Sequence, residues 1–392
     1  MIKKIIIEKR QQFAGGHEFG ITGAYEKLIG KAYGEIRSSH PLNKVIVNLN
    51  NAPRNERGMV EYSTDLYILK PADMERGNGK LFYDVPNRGN KKIVEFLNDG
   101  AESDDPSTLE HVGNGFLMRQ GYTIVWSGWQ GDLIPWQNSL SMTVPVATDK
   151  GKEIVATVRR EFFVGKEDVF SMPLSSRKKA VSYEAATTDQ SKAVLTVREK
   201  YYAPRVPVKS SEWEFASCSQ NPKTGAMEAR PSTTDLYLRS GFKPGYIYEF
   251  IYRAKNPLVL GLGFAGVRDL ISFLRYELDD STGNANPLAG STGKAGIVRA
   301  YAWGRSQSGR FLKDFIYQGF NEDESRRRVF DAVSSHVGGA GRLMLNFEFG
   351  HPTTSSQQHN DQLDPEIFPF TYPMTKDAQT GRRDGILKRP KT

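Results

Sequence analysis

The sequence predicts an α/β fold, a mostly parallel sheet flanked by helices, with a β-rich insertion. Three observations predict it. A helix–glycine–strand unit at 115–127 is the building block of a parallel layer. An amphipathic helix pattern over 264–277 resumes that layering after a long β-prone stretch. A strand at 297–303 then runs into a tight turn of small residues and a second helix.

Each element has its own signal. Residues 1–60 read as short strands and polar loops, with Val45-Ile46-Val47 as one β segment. Val60 to Leu69 alternates apolar and polar residues and ends at Lys70-Pro71, so it reads as a strand. Lys80 to Val85 is another, closed by Pro86-Asn87-Arg88-Gly89. A helix fits 91–98, a polar loop 100–106 and a short helix 115–121. Tyr122 to Ser127 is strongly β-prone and exits through Gly128-Trp129-Gln130-Gly131-Asp132. Residues 133–255 hold β-prone pieces at 154–158 and 193–197 between charged, proline-containing loops. They read as an insertion able to cover an active site. The expected division is therefore 1–132, an insertion at 133–255, and 256–392. Beyond the strand at 297–303, Phe311, Leu312, Phe315 and Ile316 recur at helical spacing, Gly319 suits a C-cap, and 329–333 reads as a further strand.

Composition narrows the function. Hydrophobic residues make up 38% of the 392 residues, enough for a real core. The net charge of +8 is spread over short clusters (177–179, 326–328, 382–383) and comes with no nucleic-acid-binding signature. No apolar run approaches the length of a membrane span. The single cysteine, Cys218, permits no internal disulfide and sits in no recognisable nucleophile turn. With no secretory h-region after Lys3-Lys4, the expected location is the cytoplasm. The scattered histidines give no metal-ligand spacing, and neither a metal nor a cofactor is expected.

The chemistry concentrates in Gly304-Arg305-Ser306-Gln307-Ser308-Gly309. A serine hydroxyl is a weak nucleophile and needs placement as well as a base. A sharp strand-to-helix turn supplies placement, provided that the residues two before and two after the serine are small. Gly304 and Ser308 meet that condition for Ser306. Ser308 is a rival, but its own flanks would be Ser306 and the bulky Arg310. The plain alternative makes both serines helix N-caps. With Ser306 as nucleophile, the Gln307 backbone N–H donates to an oxyanion, and Arg88-Gly89 of the loop after the 80–85 strand offers the second donor. Trp129, Gln130 and His336 are candidates to line the substrate pocket, with simple packing as the alternative for Trp129.

Taken together, these residues resemble a bacterial family of large, mostly uncharacterised α/β-hydrolase domain proteins. The matching blocks are Ala52-Pro53-Arg54-Asn55, Gly58, Val60-Glu61-Tyr62, Gly77-Asn78-Gly79, Asn87-Arg88-Gly89, Gly113 to Met118, Trp126 to Asp132, Ser306 to Leu312, Gln318 to Asp323 and Phe330-Asp331. The resemblance implies an α/β-hydrolase fold and a serine-hydrolase mechanism on a small ester or amide, without naming the substrate. Such enzymes place an acid and then a histidine after the serine. Few strands are legible after Ser306, so the last strands and the base are expected beyond Thr392. In-chain candidates are His336, His351 and His359, with Asp364 or Glu366 as acid.

Two other classes stay open. Gly261-Leu262-Gly263-Phe264-Ala265-Gly266 matches a dinucleotide fingerprint, although no acid-ended strand follows at the required distance. A hydrolase-like fold without its base would be a non-catalytic binding protein.

Overall fold

The computed structural model describes residues 1–220, 225, 227–290, 296–354 and 367–389. One large sheet organises the chain. Its strands are β1 (Ile2–Gln12), β2 (Tyr25–Ile36), β3 (Val60–Pro71), β4 (Lys80–Asp84) and β5 (Thr123–Ser127), with α1 (Ile93–Asn98) between the last two. Residues 133–255 contribute β6 (Val155–Phe163), β7 (Val194–Arg198) and β8 (Ile247–Lys255) to a separate sheet. Then come α2 (Leu262–Tyr276), β9 (Arg299–Arg305), α3 (Gln307–Gln318) and β10 (Ala332–His336).

The order across the large sheet is β1-β2-β3-β5-β4-β9-β10, and Met142–Thr143 adds to β3. β1, β2, β3 and β5 pair antiparallel in sequence, whereas β5, β4, β9 and β10 are parallel. The fold is α/β, but the sheet is mixed rather than mostly parallel. The chain moves from β4 to β5 on one side and later to β9 on the other. The carboxyl ends of β4 and β9 thus flank a switch point, where open α/β sheets form ligand crevices.

Two cores sandwich this sheet. On one face Leu66, Ile68, Leu81, Tyr83 and Val125 meet Phe264, Val267, Leu270 and Leu274 of α2 and Phe311 and Phe315 of α3. On the other, Tyr67, Leu69, Ile124, Trp126 and Trp303 pack on Ile93, Val94, Leu117 and Met118. The β6–β8 sheet has its own core around Phe162, Leu195, Trp213, Phe250 and Tyr252, which also takes in Phe349.

Several expectations need correction. Residues 1–36 form two long strands, not short ones. Their alternation is masked because charged side chains stand where apolar ones were sought: Lys27 pairs with Asp105 at 2.9 Å, Lys70 with Glu26 at 2.6 Å and Lys31 with Asp65 at 3.0 Å. Val45-Ile46-Val47 lies in turns, not a strand. The side chain of Asn346 replaces a ladder there, accepting from the Val47 N–H and donating to the Val45 carbonyl at 2.8 Å each. The last parallel strand starts at Ala332, three residues later than predicted, because Val329 and Phe330 are anchored in the core and Asn321 takes up their backbone groups.

The dinucleotide fingerprint also finds a packing explanation. A β-carbon on Gly263 would lie 2.2 Å from the Trp129 carbonyl oxygen, and one on Gly261 2.3 Å from Asn346 Oδ1. Gly263 lets α2 lie against the β5 exit loop, and Gly261 leaves room for the Asn346 side chain. Residues 257–260 ahead of the helix are not a strand. The phosphate-binding reading requires one there.

Candidate active site

β9 ends at Arg305 and α3 starts at Gln307, so Ser306 alone makes the turn. Its backbone sits at φ 57° and ψ −111°, outside the ordinary left-handed well. Holding a residue with a β-carbon there costs about 1–3 kcal/mol and persists only where surrounding structure over-determines it. The Ser306 N–H donates to the His336 carbonyl at 2.9 Å, and the Arg310 N–H donates to the Ser306 carbonyl at 3.1 Å. A β-carbon on Gly304 would stand 2.5 Å from the Ser308 carbonyl oxygen, and one on Gly309 3.0 Å from the Gly304 oxygen. The turn is tight enough that only small residues fit beside the serine. α3 packs directly under β9 as a result.

The two serines differ sharply. Ser306 is exposed, and among the described residues no group hydrogen-bonds its hydroxyl. Ser308 is fully buried, and its Oγ has no partner among the described residues. The Gln307 N–H, first in α3, is among those with no acceptor inside the helix.

The loop after β4 is tied to this turn. Asn87 donates from its side chain to the Arg305 carbonyl at 2.8 Å. The tip residues Arg88 and Gly89 have φ of 52° and 84°. Gly89 is needed, since a β-carbon would lie 2.8 Å from Ser139 Cβ. Trp129 braces the loop from below: its indole N–H donates to the Pro86 carbonyl at 2.8 Å, and its ring lies 4.7 Å from that of Phe311. It is buried in the core and takes the packing role.

A strap, residues 349–354, is fastened beside the elbow by groups from three loops. Gln307 Nε2 donates to the Pro352 carbonyl. Arg88 Nε donates to the Thr353 carbonyl at 2.8 Å. Gln130 Nε2 donates to Thr353 Oγ1 at 2.8 Å, while the Thr353 N–H and hydroxyl both donate to Asp132 at 2.9 Å. Burial raises the Asp132 carboxyl to about 6, against the pull of the Thr353 hydrogen bonds. Burial lowers Arg88 to about 10, with Arg177 adding to the effect and Asp132 opposing it. The insertion docks on the same knot, with the Val181 N–H donating to the Asp132 carbonyl at 2.8 Å and the Tyr183 hydroxyl to the Gly350 carbonyl at 3.0 Å.

The structure thus brings together Ser306, Gln307, Arg88, Gly89 and Gln130, with Trp129 beneath them. His336 is placed beside the turn through its backbone, but its ring stacks on Trp303 at 5.9 Å and packs near Phe96 at 5.8 Å. His351 is buried in the strap with its ring edge-on to Tyr183 at 5.2 Å. His359, Asp364 and Glu366 lie outside the described residues. Sequence reasoning missed Asp132 and Thr353 as a pair, because 221 residues separate them and neither stands in a catalytic pattern. Asp132 does end the Trp126–Asp132 block, which was the one available signal.

A family model described as "Alpha/beta hydrolase domain" matches residues 235–377, a stretch that contains the elbow, the strap and the end of the insertion. No curated protein and no solved structure matches the chain. The matched stretch is therefore similar to an α/β-hydrolase domain, which suggests hydrolase-type chemistry. Among the described residues, no helix is long and apolar enough to cross a membrane. No group of three or more His, Cys, Asp or Glu among them could hold a metal ion.

Proposed function

We propose that the chain is a serine hydrolase that cleaves a carboxylic ester, or an amide, through an acyl-enzyme on Ser306. The observation that carries this reading is the backbone of Ser306: an exposed serine at φ 57° and ψ −111° between a parallel strand and the helix it feeds. Strain of this kind has no use in an N-cap, which ordinarily has extended backbone. In a nucleophile it lifts the hydroxyl off the end of the sheet.

In the reaction, Ser306 Oγ attacks the substrate carbonyl and its proton passes to a base. The Gln307 N–H and the Arg88-Gly89 loop hold the oxyanion. The C–O bond to the leaving alcohol then breaks, the alcohol takes the proton, and water releases the acid from the acyl-enzyme. The base is a histidine outside the described residues. The insertion, residues 133–255, acts as a cap, a role supported by its docking on Asp132 and the strap.

A fluorophosphonate probe tests the reading. Labelling of the wild type that disappears in Ser306→Ala and persists in Ser308→Ala is the expected result. Labelling that survives Ser306→Ala refutes it. No labelling of the wild type favours a binding protein on a hydrolase fold, for which the supporting observation is that no described residue hydrogen-bonds the Ser306 hydroxyl.

A further inference from the structure

Among the described residues, Arg160 has no carboxylate partner. Its neighbours on β6 are paired: Arg159 with Glu249 at 2.9 Å and Glu161 with Arg198 at 2.8 Å. Arg160 points to the other face of the strand. Its Nη1 donates to the Arg159 carbonyl at 2.8 Å, but Nε and Nη2 are shut off from solvent and have no partner among the described residues. Burial lowers its pKa, with Tyr252 and Tyr183 opposing and Arg159 adding to the effect.

The free atoms form one edge of the guanidinium. Nε and Nη2 lie side by side, and together they make the two parallel hydrogen bonds that Arg gives a carboxylate. Arg205 uses that same edge on Glu249, at 2.9 and 3.1 Å. On Arg160 that edge has no partner among the described residues.

The surroundings fit an acidic ligand. His351 Nε2 is buried and, among the described residues, also without a partner. Burial and the charge of Arg160 keep the His351 ring neutral. The nearby tyrosines have committed their protons elsewhere: Tyr252 donates to the Tyr183 carbonyl at 2.8 Å and Tyr183 to the Gly350 carbonyl at 3.0 Å. Ordered water would satisfy the N–H groups but would not neutralise the charge, and a buried unpaired charge is expensive. His351 is followed by Pro352, whose carbonyl Gln307 holds beside the elbow. The charge of Arg160 thus reaches His351, which belongs to the strap that borders Ser306.

We propose that the Nε/Nη2 edge of Arg160 binds a carboxylate, and that the ester cleaved at Ser306 carries a free carboxylate on its acyl side. The second half rests on the hydrolase reading above; the first does not.

Two measurements separate them. In a thermal melt, succinate raises the Tm of the wild type and of Arg159→Gln, and succinamide at matched ionic strength does not. Arg160→Gln and Arg160→Met lose the rise. In anion-free buffer Arg160→Met melts at least as high as the wild type, since it removes an unpaired charge. A markedly lower melt for Arg160→Met, or an equal succinate response in wild type and Arg160→Gln, overturns the site. In the second measurement, mono(4-nitrophenyl) succinate is compared with 4-nitrophenyl butyrate. The ratio of kcat/KM for the acidic over the neutral ester falls on the order of 10–100-fold in Arg160→Gln, as expected for losing a charge-assisted hydrogen bond. An unchanged ratio overturns the substrate assignment. Arg160-dependent binding of succinate without cleavage of either ester upholds the anion site and rejects the hydrolase reading.

Discussion

Asp84 makes the sharpest quantitative prediction. It ends β4, one strand over from the elbow, and is fully buried. One oxygen, Oδ2, accepts from the Lys92 and Ile93 N–H groups at the start of α1 and from the Trp126 indole at 2.6 Å. The other, Oδ1, has no partner among the described residues. Burial outweighs those hydrogen bonds and raises the carboxyl from 3.8 to about 7. The folded state therefore holds a proton that the unfolded state has released. For an acid with a raised pKa, the stabilising contribution is complete below pH 3.8 and is lost as pH rises to about 7. That span corresponds to about 4 kcal/mol, at about 1.4 kcal/mol per pH unit. Asp84→Asn removes the titration while keeping an acceptor for the helix N-terminus. Urea unfolding of both proteins, followed by tryptophan fluorescence between pH 4 and 8, gives the difference directly. Wild type should lose about 4 kcal/mol relative to Asp84→Asn across that range. Parallel curves would refute the reasoning, and would mean that the three donors hold the carboxylate ionised.

Three further outcomes are expected. Gly304→Ala places a β-carbon 2.5 Å from the Ser308 carbonyl, so it should cost about 1–3 kcal/mol in urea unfolding and slow fluorophosphonate labelling. Thr353→Val leaves Asp132 and Gln130 short of buried partners; about 1–3 kcal/mol should be lost, and combining it with Asp132→Asn should cost less than the sum of the two. Gly263→Ala drives α2 against the Trp129 carbonyl, 2.2 Å away, and should destabilise the fold, while NADH should leave the tryptophan fluorescence of the wild type unchanged.

Local chemistry made parts of this protein legible. The alternation of Val60 to Leu69, the β-run before Gly128, and the helical spacing of Phe311, Leu312 and Phe315 each report a face that must be buried. Each matches an element in the structure, at β3, β5 and α3. The strand–Ser306–helix turn was legible for the same reason, because a turn that tight leaves no room for a β-carbon at Gly304 or Gly309. The long strands β1 and β2 were not, because their ion pairs to Asp105, Asp65 and Glu26 exist only once the meander has formed.

The sequence by itself determined that there is one strand–serine–helix turn in an α/β chain, since steric limits on neighbouring residues act over a few positions. Only the tertiary structure decided which serine faces out and which is sealed in, because exposure depends on what packs from elsewhere. It also brought Asp132 to Thr353 and left Arg160 with no counter-charge among the described residues. Those relationships join residues far apart in the chain, where hydrogen bonding and burial depend on the three-dimensional neighbours, and no spacing rule along the chain can encode them.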